Sequence, residues 1–301
     1  MSRVLVTGAT GFIGRGALAP LVAAGCEVHA VSSRGPLPGA PPEVRWHVAD
    51  LLTPGAEREL TAIGATHLLH LAWYAEPGRF WRAPENLDWL AASLRLIRTL
   101  ADAGCRRIVT AGTCAEYEWG EATHCVEGVT PIEPATLYGT AKHALHSVTA
   151  AFAAEAGISH AHGRVFFVFG PHEDPARLAG SIASALVAGR EARCSHGEQV
   201  RDFLYAPELA GAFAALLRSG VAGPVNLASG DPVRVRELIA ELAAAAGAPE
   251  LVRLGARPAG AEPARLTADV SRLRDEVGWA PSIPRAVAAA RTVAWWREQA
   301  A

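Results

Sequence analysis

The sequence predicts an α/β fold: a doubly wound parallel sheet followed by a smaller, mixed C-terminal region. Three observations predict it. Short β-rich runs alternate with helical stretches through residues 1–169, the pattern of a parallel sheet with helices on both faces. One of these runs, Thr66 to Ala72, is short and continuously apolar, as a strand covered on both faces should be. A glycine-rich segment joins the first run to the first helical stretch.

Taken in order, Arg3 to Thr7 (RVLVT) reads as the first strand and Phe12 to Gly25 as a helix ending on glycine. Glu27 to Ser32 (EVHAVS), Val44 to Val48 and Thr66 to Ala72 (THLLHLA) read as the second, third and fourth strands. Pro84 to Ala103 reads as a long helix, Arg107 to Ala111 (RIVTA) as the fifth strand, Thr136 to Ala156 as a second long helix and His160 to Phe169 as the sixth strand. Beyond Phe169 the pattern loosens. Helices near Ala176–Ala188, Pro207–Arg218 and Val235–Ala246 sit among loops containing Pro, Gly and Arg.

Composition excludes several classes. The chain has 301 residues, 50% of them hydrophobic, enough for a sizeable core. A net charge of -2, a pI of 6.6 and scattered basic residues offer no field for nucleic acid or an anionic membrane. No apolar run approaches the roughly 20 residues that span a bilayer, and because the sequence enters a strand at once no signal peptide is expected. The cysteines Cys26, Cys105, Cys114, Cys125 and Cys194 show no CxxC spacing. They read as reduced thiols of a cytoplasmic protein, and no metal site is expected. Alanine is abundant without a fixed-period repeat and implies no function.

TGATGFIG sets Gly8, Gly11 and Gly14 between the first strand and the first helix. Gly8 permits a tight turn, Gly11 lets backbone approach a pyrophosphate, and Gly14 lets the helix pack close to the strand. The helix N-terminus offers N–H groups and positive dipole to the phosphates. This is a Rossmann-type dinucleotide site, to which Thr10, Phe12, Ile13, Leu51, Leu71 and Ala72 are also assigned. Residues 1–169 then form the dinucleotide-binding domain, with 204–228 returning to it, and 170–203 with 229–301 form the substrate-binding region.

An acid at the end of the second strand would hold the ribose 2′-OH of NAD, whereas an arginine accommodates the 2′-phosphate of NADP. The sequence has Ser32, Ser33 and Arg34 and no acid. NADP is therefore expected, with NAD as the alternative; the bland reading of Arg34 is a solvated loop residue. Asp50 either holds the adenine amino group or caps the next helix.

Tyr138 and Lys142, in YGTAK, lie at i and i+4 on one helix face. A free phenol titrates near 10, and a neighbouring ammonium is expected to lower that value. Tyr138 could then exchange a proton with a substrate oxygen while Lys142 anchors the nicotinamide ribose. A surface Tyr–Lys pair is the bland reading, and context decides against it.

TGATGFIG, HLA at His70–Ala72, TAGTCAEY at Thr110–Tyr117 and YGTAK together resemble the extended short-chain dehydrogenase/reductases. These are the NAD-dependent epimerase/dehydratase group acting on nucleotide sugars. The resemblance covers nearly the whole chain. It implies that Thr113, at the end of the fifth strand, hydrogen-bonds the reacting oxygen beside Tyr138. Gly163-Arg164 through Phe169-Gly170-Pro171 resembles the family's R-x-x-N-x-Y-G-P, and Arg201-Asp202-Phe203 its R-D-F/Y. Asn226 to Gly230 resembles its N-I-G-S-G. Arg257-Pro258, Ala268-Asp269 and Gly278-Trp279 resemble its C-terminal segments. Arg201 and Arg257 are expected on the nucleotide diphosphate, since a guanidinium fork matches phosphate oxygens. Salt bridges to Asp202 or Glu262 are the structural alternative. A homodimer through the two long helices is also implied.

Departures from the pattern narrow the activity. Phe167 replaces the family's substrate-contacting Asn. Cys114 and Ala115 stand where 4,6-dehydratases carry an acid and a base, which argues against dehydration. His172 and His196 lie in loops, where each is a polar loop residue, a phosphate donor or an acid/base. Trp73, Trp81 and Trp89 either line the sugar site or pack in the core. The expected activity is NADPH-dependent reduction of a keto group, at C4, on a nucleotide-linked deoxysugar. The alternatives are an epimerase with bound NAD and a non-enzymatic dinucleotide sensor, against which Thr113, Tyr138 and Lys142 argue.

Overall fold

The computed structural model describes residues 2–120, 122–258, 260 and 263–300. Its main sheet takes strands β1 (Arg3–Thr7), β2 (Glu27–Ser32), β3 (Arg45–Val48), β4 (His67–His70) and β5 (Arg107–Thr113). After β6 (Ala122–Cys125), which pairs elsewhere, it takes β7 (Ser159–Val165). β8 (Phe167–Phe169), β9 (Ala192–Arg193), β10 (Val200–Arg201) and β11 (Phe203–Tyr205) pair elsewhere, and β12 (Gly223–Leu227) forms the edge. The order is β12-β7-β5-β4-β1-β2-β3, and every pairing is parallel.

Alternation along β1 explains the two layers of helices. Val4 and Val6 enter one core with Ala17, Leu18 and Leu21 of α1 (Gly14–Ala23). Leu5, pointing the other way, enters a second core with Leu96, Ile97 and Leu100 of α3 (Glu85–Asp102). This second core also takes Leu145 of α4 (Leu137–Ala156); a one-turn helix, α2 (Ala56–Glu59), precedes α3 in the chain. All seven residues of β5 are buried, the polar Arg107, Thr110 and Thr113 included. Thr136 caps α4, its hydroxyl accepting the Gly139 N–H at 3.1 Å, and Gly157 ends it at a φ of 65°.

A separate core is built from α5 (Leu178–Val187), α7 (Val235–Ala246) and α8 (Arg285–Ala300) with residues of β8 and β11. α6 (Ala206–Arg218) packs instead on α1, where a Cβ on Gly16 would stand 2.9 Å from the Ala210 methyl. Strands β13 (Val233–Arg234), β14 (Val252–Arg253) and β15 (Arg265–Ala268) complete the small sheets, one of which is ordered β13-β10-β15-β6. Among the described residues no helix is long and apolar enough to cross a membrane.

Two differences from the sequence reading have physical causes. The run read as one strand over His160 to Phe169 breaks at Phe166. The Phe166 N–H still bonds to Leu227, but the Phe167 N–H turns to the Asp202 carbonyl. β8 thereby leaves the main sheet to pair with β11. α8 escaped the sequence reading because much of its buried face is alanine and threonine: Ala288, Ala289, Thr292 and Val293.

Buried imidazoles give this core a pH dependence. His70 bonds to Thr7 and Ser93, each at 2.7 Å, and burial pushes it down to about 3. His160 bonds to Thr110 at 3.0 Å and is pushed by burial down to about 2. Both lie below the ordinary value near 6.5, so as pH falls from 6.5 towards 3 the unfolded chain binds more protons than the native one. Stability is therefore lost as pH falls through that window, by up to about 1.4 kcal/mol per unit for each group. Urea melts between pH 7.5 and 5 should show the decline, and His160→Gln should reduce its slope; an unchanged slope in that variant would contradict the assignment.

Candidate active site

The glycine turn leaves room for a dinucleotide backbone and for little else. Gly8 has φ +67°, and a Cβ there would meet the Ala72 nitrogen at 2.7 Å. A Cβ on Gly14 would meet the Gly8 carbonyl at 2.2 Å. Gly11 donates to that same carbonyl at 2.9 Å, so Thr10, Gly11, Phe12 and Ile13 form one tight loop. α1 begins with no side-chain cap and no acid in its first turn; the Arg15 and Gly16 N–H groups bond the Gly11 and Ile13 carbonyls, and the dipole of the helix end is left for an anion. The residues present therefore fit a pyrophosphate.

The end of β2 lies beside this turn, since β1 and β2 are paired. Ser32 is buried and its hydroxyl accepts the Arg34 N–H at 3.1 Å, while Ser33 and Arg34 are exposed. Leu51 and Ala72 are buried and Leu71 half-buried, and the exposed Asp50 caps its own turn by accepting the Leu52 N–H at 3.0 Å.

The three catalytic candidates converge at the ends of β5 and α4. Thr113 opens a 3-10 turn and its hydroxyl accepts the Ala115 N–H at 3.2 Å. Tyr138 stands in the first turn of α4, and its N–H donates to the Trp81 carbonyl at 3.1 Å. Lys142 is 4% exposed. Its ammonium donates to the Ala111 carbonyl at 2.9 Å and lies 4.0 Å from the centre of the Trp73 ring.

Electrostatics here correct one expectation. Burial pushes the Tyr138 phenol up, with the Thr113 hydroxyl and the Arg177 guanidinium acting the other way. The expected lowering by Lys142 is not what dominates. Its ammonium stands 5.9 Å from the phenol ring centre and is engaged by Ala111 and Trp73. Desolvation also lowers Lys142 itself to about 7, opposed by Glu116.

An aromatic wall surrounds the phenol. Phe80 meets Tyr138 edge-on at 4.9 Å, Trp81 at 5.8 Å, and Trp119 meets Trp81 at 6.2 Å. Asn86 holds the loop that carries them, accepting from the Trp73 indole at 2.8 Å and donating to the Phe80 and Ala83 carbonyls at 2.7 and 2.8 Å. Trp89 packs in the α3 core instead. Cys114 is buried, which pushes its thiol up and leaves it unreactive.

The candidate substrate residues are spread more widely. Arg201 is 2% exposed, with its guanidinium 5.1 Å from the Phe167 ring centre. Asp202 is committed elsewhere, accepting from Ser229 and Gly230 and so fixing the turn after β12. Arg257 is exposed and lines a cavity of 330 Å³ with Arg190, Arg193 and Ser181; Glu262, its alternative partner, lies outside the described residues. His172 packs on Trp295 at 4.6 Å, and His196 accepts the Glu198 N–H at 2.9 Å. His146, His160 and His162 bring ring nitrogens within 4.8 Å of one another. His162, however, has both nitrogens bonded, to Thr110 and Glu116, and its ring stacks on His146 at 4.6 Å. His160 and His162 are thus joined through Thr110, while Nδ1 of His146 and of His160 is buried without a hydrogen-bond partner.

Residues 4–228 match the model of the NAD dependent epimerase/dehydratase family. The chain belongs to that family. It is similar to UDP-glucose 4-epimerase of Streptomyces lividans, with 27% identity over 93% of this chain and 92% of that one. It is also similar to GDP-6-deoxy-D-mannose reductase of Pseudomonas aeruginosa, with 28% identity over 93% and 92%. Among solved structures it is similar to UDP-glucose 4-epimerase of Thermus thermophilus in complex with NAD, with TM-score 0.84 and 26% identity over 98% and 99% of the chains. This chain is an enzyme of the oxidoreductase type on a Rossmann fold, in a family of NAD-dependent enzymes.

Sequence reasoning missed Glu116, which closes a capping box with Thr113 and was legible as T-x-x-E, and it missed the partners of Glu116, His162 and Arg164, which strand pairing brings to it. It also missed a signal that was legible: Lys142 is the sole lysine of a chain rich in arginine. The glycine turn offers a direct check. Gly8→Ala should cost about 1–3 kcal/mol through the clash with Ala72, read as a lower urea midpoint at unchanged m, together with weaker dinucleotide binding. A midpoint equal to the parent's would show that the turn tolerates a side chain.

Proposed function

We propose that this enzyme reduces a keto group, at C4, of a nucleotide-linked deoxysugar, with NADPH as the reductant. The observation that carries the reading is the end of β2. There Ser32 turns inward, Ser33 and Arg34 face solvent, and the segment offers a guanidinium and no carboxylate. Such an end suits a 2′-phosphate. An NADPH-consuming enzyme performs net reduction, whereas an epimerase returns its dinucleotide to the starting state.

Bound NADPH would supply the hydride. Gly8, Gly11, Gly14 and the N-terminus of α1 would hold its pyrophosphate, and Lys142 would anchor the nicotinamide ribose. Tyr138 gives its proton to the carbonyl oxygen as the alcohol forms, and Thr113 donates a hydrogen bond to that oxygen. Burial, which keeps the phenol protonated, suits a proton donor. Cys114 and Ala115 provide no acid–base pair for dehydration. Phe80, Trp81 and Trp73 suit a sugar face short of hydroxyls, as does the likeness to a 6-deoxyhexose reductase. Arg190, Arg193 and Arg257 suit a diphosphate. A homodimer is part of the proposal, since Leu87 of α3 and Val148 of α4 are 55% and 50% exposed.

A second reading, epimerisation through a transient 4-keto sugar, is favoured by the likeness to UDP-glucose 4-epimerases, one of them bound to NAD. Purification separates the two. The reductase should emerge without dinucleotide, bind NADPH at least tenfold more tightly than NADH, and oxidise NADPH with nucleoside-diphosphate 4-keto-6-deoxyhexoses. Tyr138→Phe should lower kcat by about 10²- to 10⁴-fold, and Arg34→Ala should abolish the NADPH preference. Copurified NAD with turnover in the absence of added NADPH would establish the epimerase instead.

A further inference from the structure

We propose that Glu116 is a positioning residue for the proton-transfer set, holding Thr113 by its backbone and Lys142 by its negative charge. The proposal rests on Thr113, Tyr138 and Lys142 being that set. Glu116 is fully buried, yet nothing in the reaction as described touches it. One carboxylate oxygen accepts the Thr113 N–H at 2.8 Å and the His162 ring N–H at 2.9 Å; the other accepts from Arg164 at 3.1 Å. Thr113 returns a bond to the same turn through its hydroxyl, so the turn is closed in both directions. The hydroxyl proton of Thr113 is thereby left for an oxygen in the cleft.

The backbone makes space for this carboxylate. A Cβ on Gly112 would stand 2.5 Å from the Glu116 oxygen and 2.1 Å from the His162 ring nitrogen. The protonation pattern follows from the bonds. His162 gives its Nε2 proton to Glu116, so its Nδ1 accepts the Thr110 hydroxyl proton, and Thr110 in turn accepts from His160. Every donor in that chain points towards the carboxylate, which keeps it charged. Burial alone would raise Glu116, but His162, His143 and Arg164 outweigh it and hold the carboxyl well below the usual range.

Its charge bears on Lys142 through the same strand end. Lys142 donates to Ala111, and Glu116 grips Thr113 two residues on. The neighbour of Lys142 on α4, His143, stands 3.8 Å from the second carboxylate oxygen. The ionisable groups facing Glu116 are Tyr138, Lys142, His143 and His146 from α4, His162 and Arg164 from β7, and Cys114 on its own turn. Those felt around Lys142 are Glu116, His70 from β4 and His162. Of these only Glu116 is an anion that opposes the desolvation of the ammonium.

Because Lys142 is the sole lysine, protein grown on lysine labelled with 13C at Cε and 15N at Nζ gives one lysine signal. Glu116→Gln keeps an oxygen for the Thr113 N–H and removes the charge. We expect its lysine signal to titrate about one pH unit lower than in the parent. The alkaline limb of kcat should move by the same amount, with kcat down about tenfold and KM within about twofold. Glu116→Asp keeps the charge and shortens the reach. Its lysine titration should return towards the parent's while kcat stays reduced. An unmoved lysine titration in folded Glu116→Gln would overturn the proposal. So would loss of the native fold in both variants, since the carboxylate would then be structural. The lysine signal is read without substrate. A shifted lysine with no turnover of any keto sugar would therefore sink the reductase reading and leave this proposal intact.

Discussion

The end of β5 is where a charge shielded from water meets the site proposed to move protons. Burying a carboxylate costs several kcal/mol unless its lone pairs are filled and its charge is balanced. Here Thr113, His162 and Arg164 fill them. Arg164 is itself sandwiched, 4.5 Å from the centre of the Tyr117 ring, whose hydroxyl donates to Asn226 of β12 at 2.8 Å. Asn226 in turn donates to the carbonyls of Cys125 and Asp269. One polar network thus ties the reacting end of β5 to the sheet edge and to the small sheet beyond it. Removing any member would leave an unpaired buried group, so the geometry of Thr113 is held by more than its own strand.

The cofactor end obeys the opposite logic. It depends on atoms that are missing. Side chains at Gly8 or Gly14 would collide with main chain, and α1 lacks the capping side chain that would compete for its N–H groups. A rigid bed of backbone donors results, and Thr7, bonded to buried His70, fixes the floor of that bed. Between the two ends lies the wall formed by Phe80 and Trp81, placed by buried Asn86 and pressed against Tyr138. That wall packs edge-on against the half-buried Tyr138 ring, and desolvation of the phenol raises its proton affinity.

Local chemistry made much of this legible. The glycine spacing, the i, i+4 pair of Tyr138 and Lys142, and the β-rich runs of β1, β4 and β5 all follow from rules that act over a few residues. The capping threonine Thr136 and the terminal glycine Gly157 bracket α4 almost where the sequence reading put it. Long-range pairing was not legible. Whether Phe167 continued β7 or left it depended on the Asp202 carbonyl, 35 residues further on in the chain. His162 and Arg164 read as strand residues until β7 was laid beside β5, opposite Thr110 and Gly112. The low apolar content of the α8 face hid a helix that only packing against α5 and α7 stabilises.

The sequence by itself determined the fold class, the spacing of the glycine turn and the placing of Tyr138 and Lys142 on one helix face, because each is written in neighbours or in a helical period, whereas Thr113 joins them only through the family resemblance. The tertiary structure alone decided the direction in which Tyr138 and Lys142 are tuned, and which carboxylate stands behind them. Proton affinity in a protein interior depends on how much water is excluded and which charges are close. Both quantities come into existence only when β5, β7 and α4 are packed together.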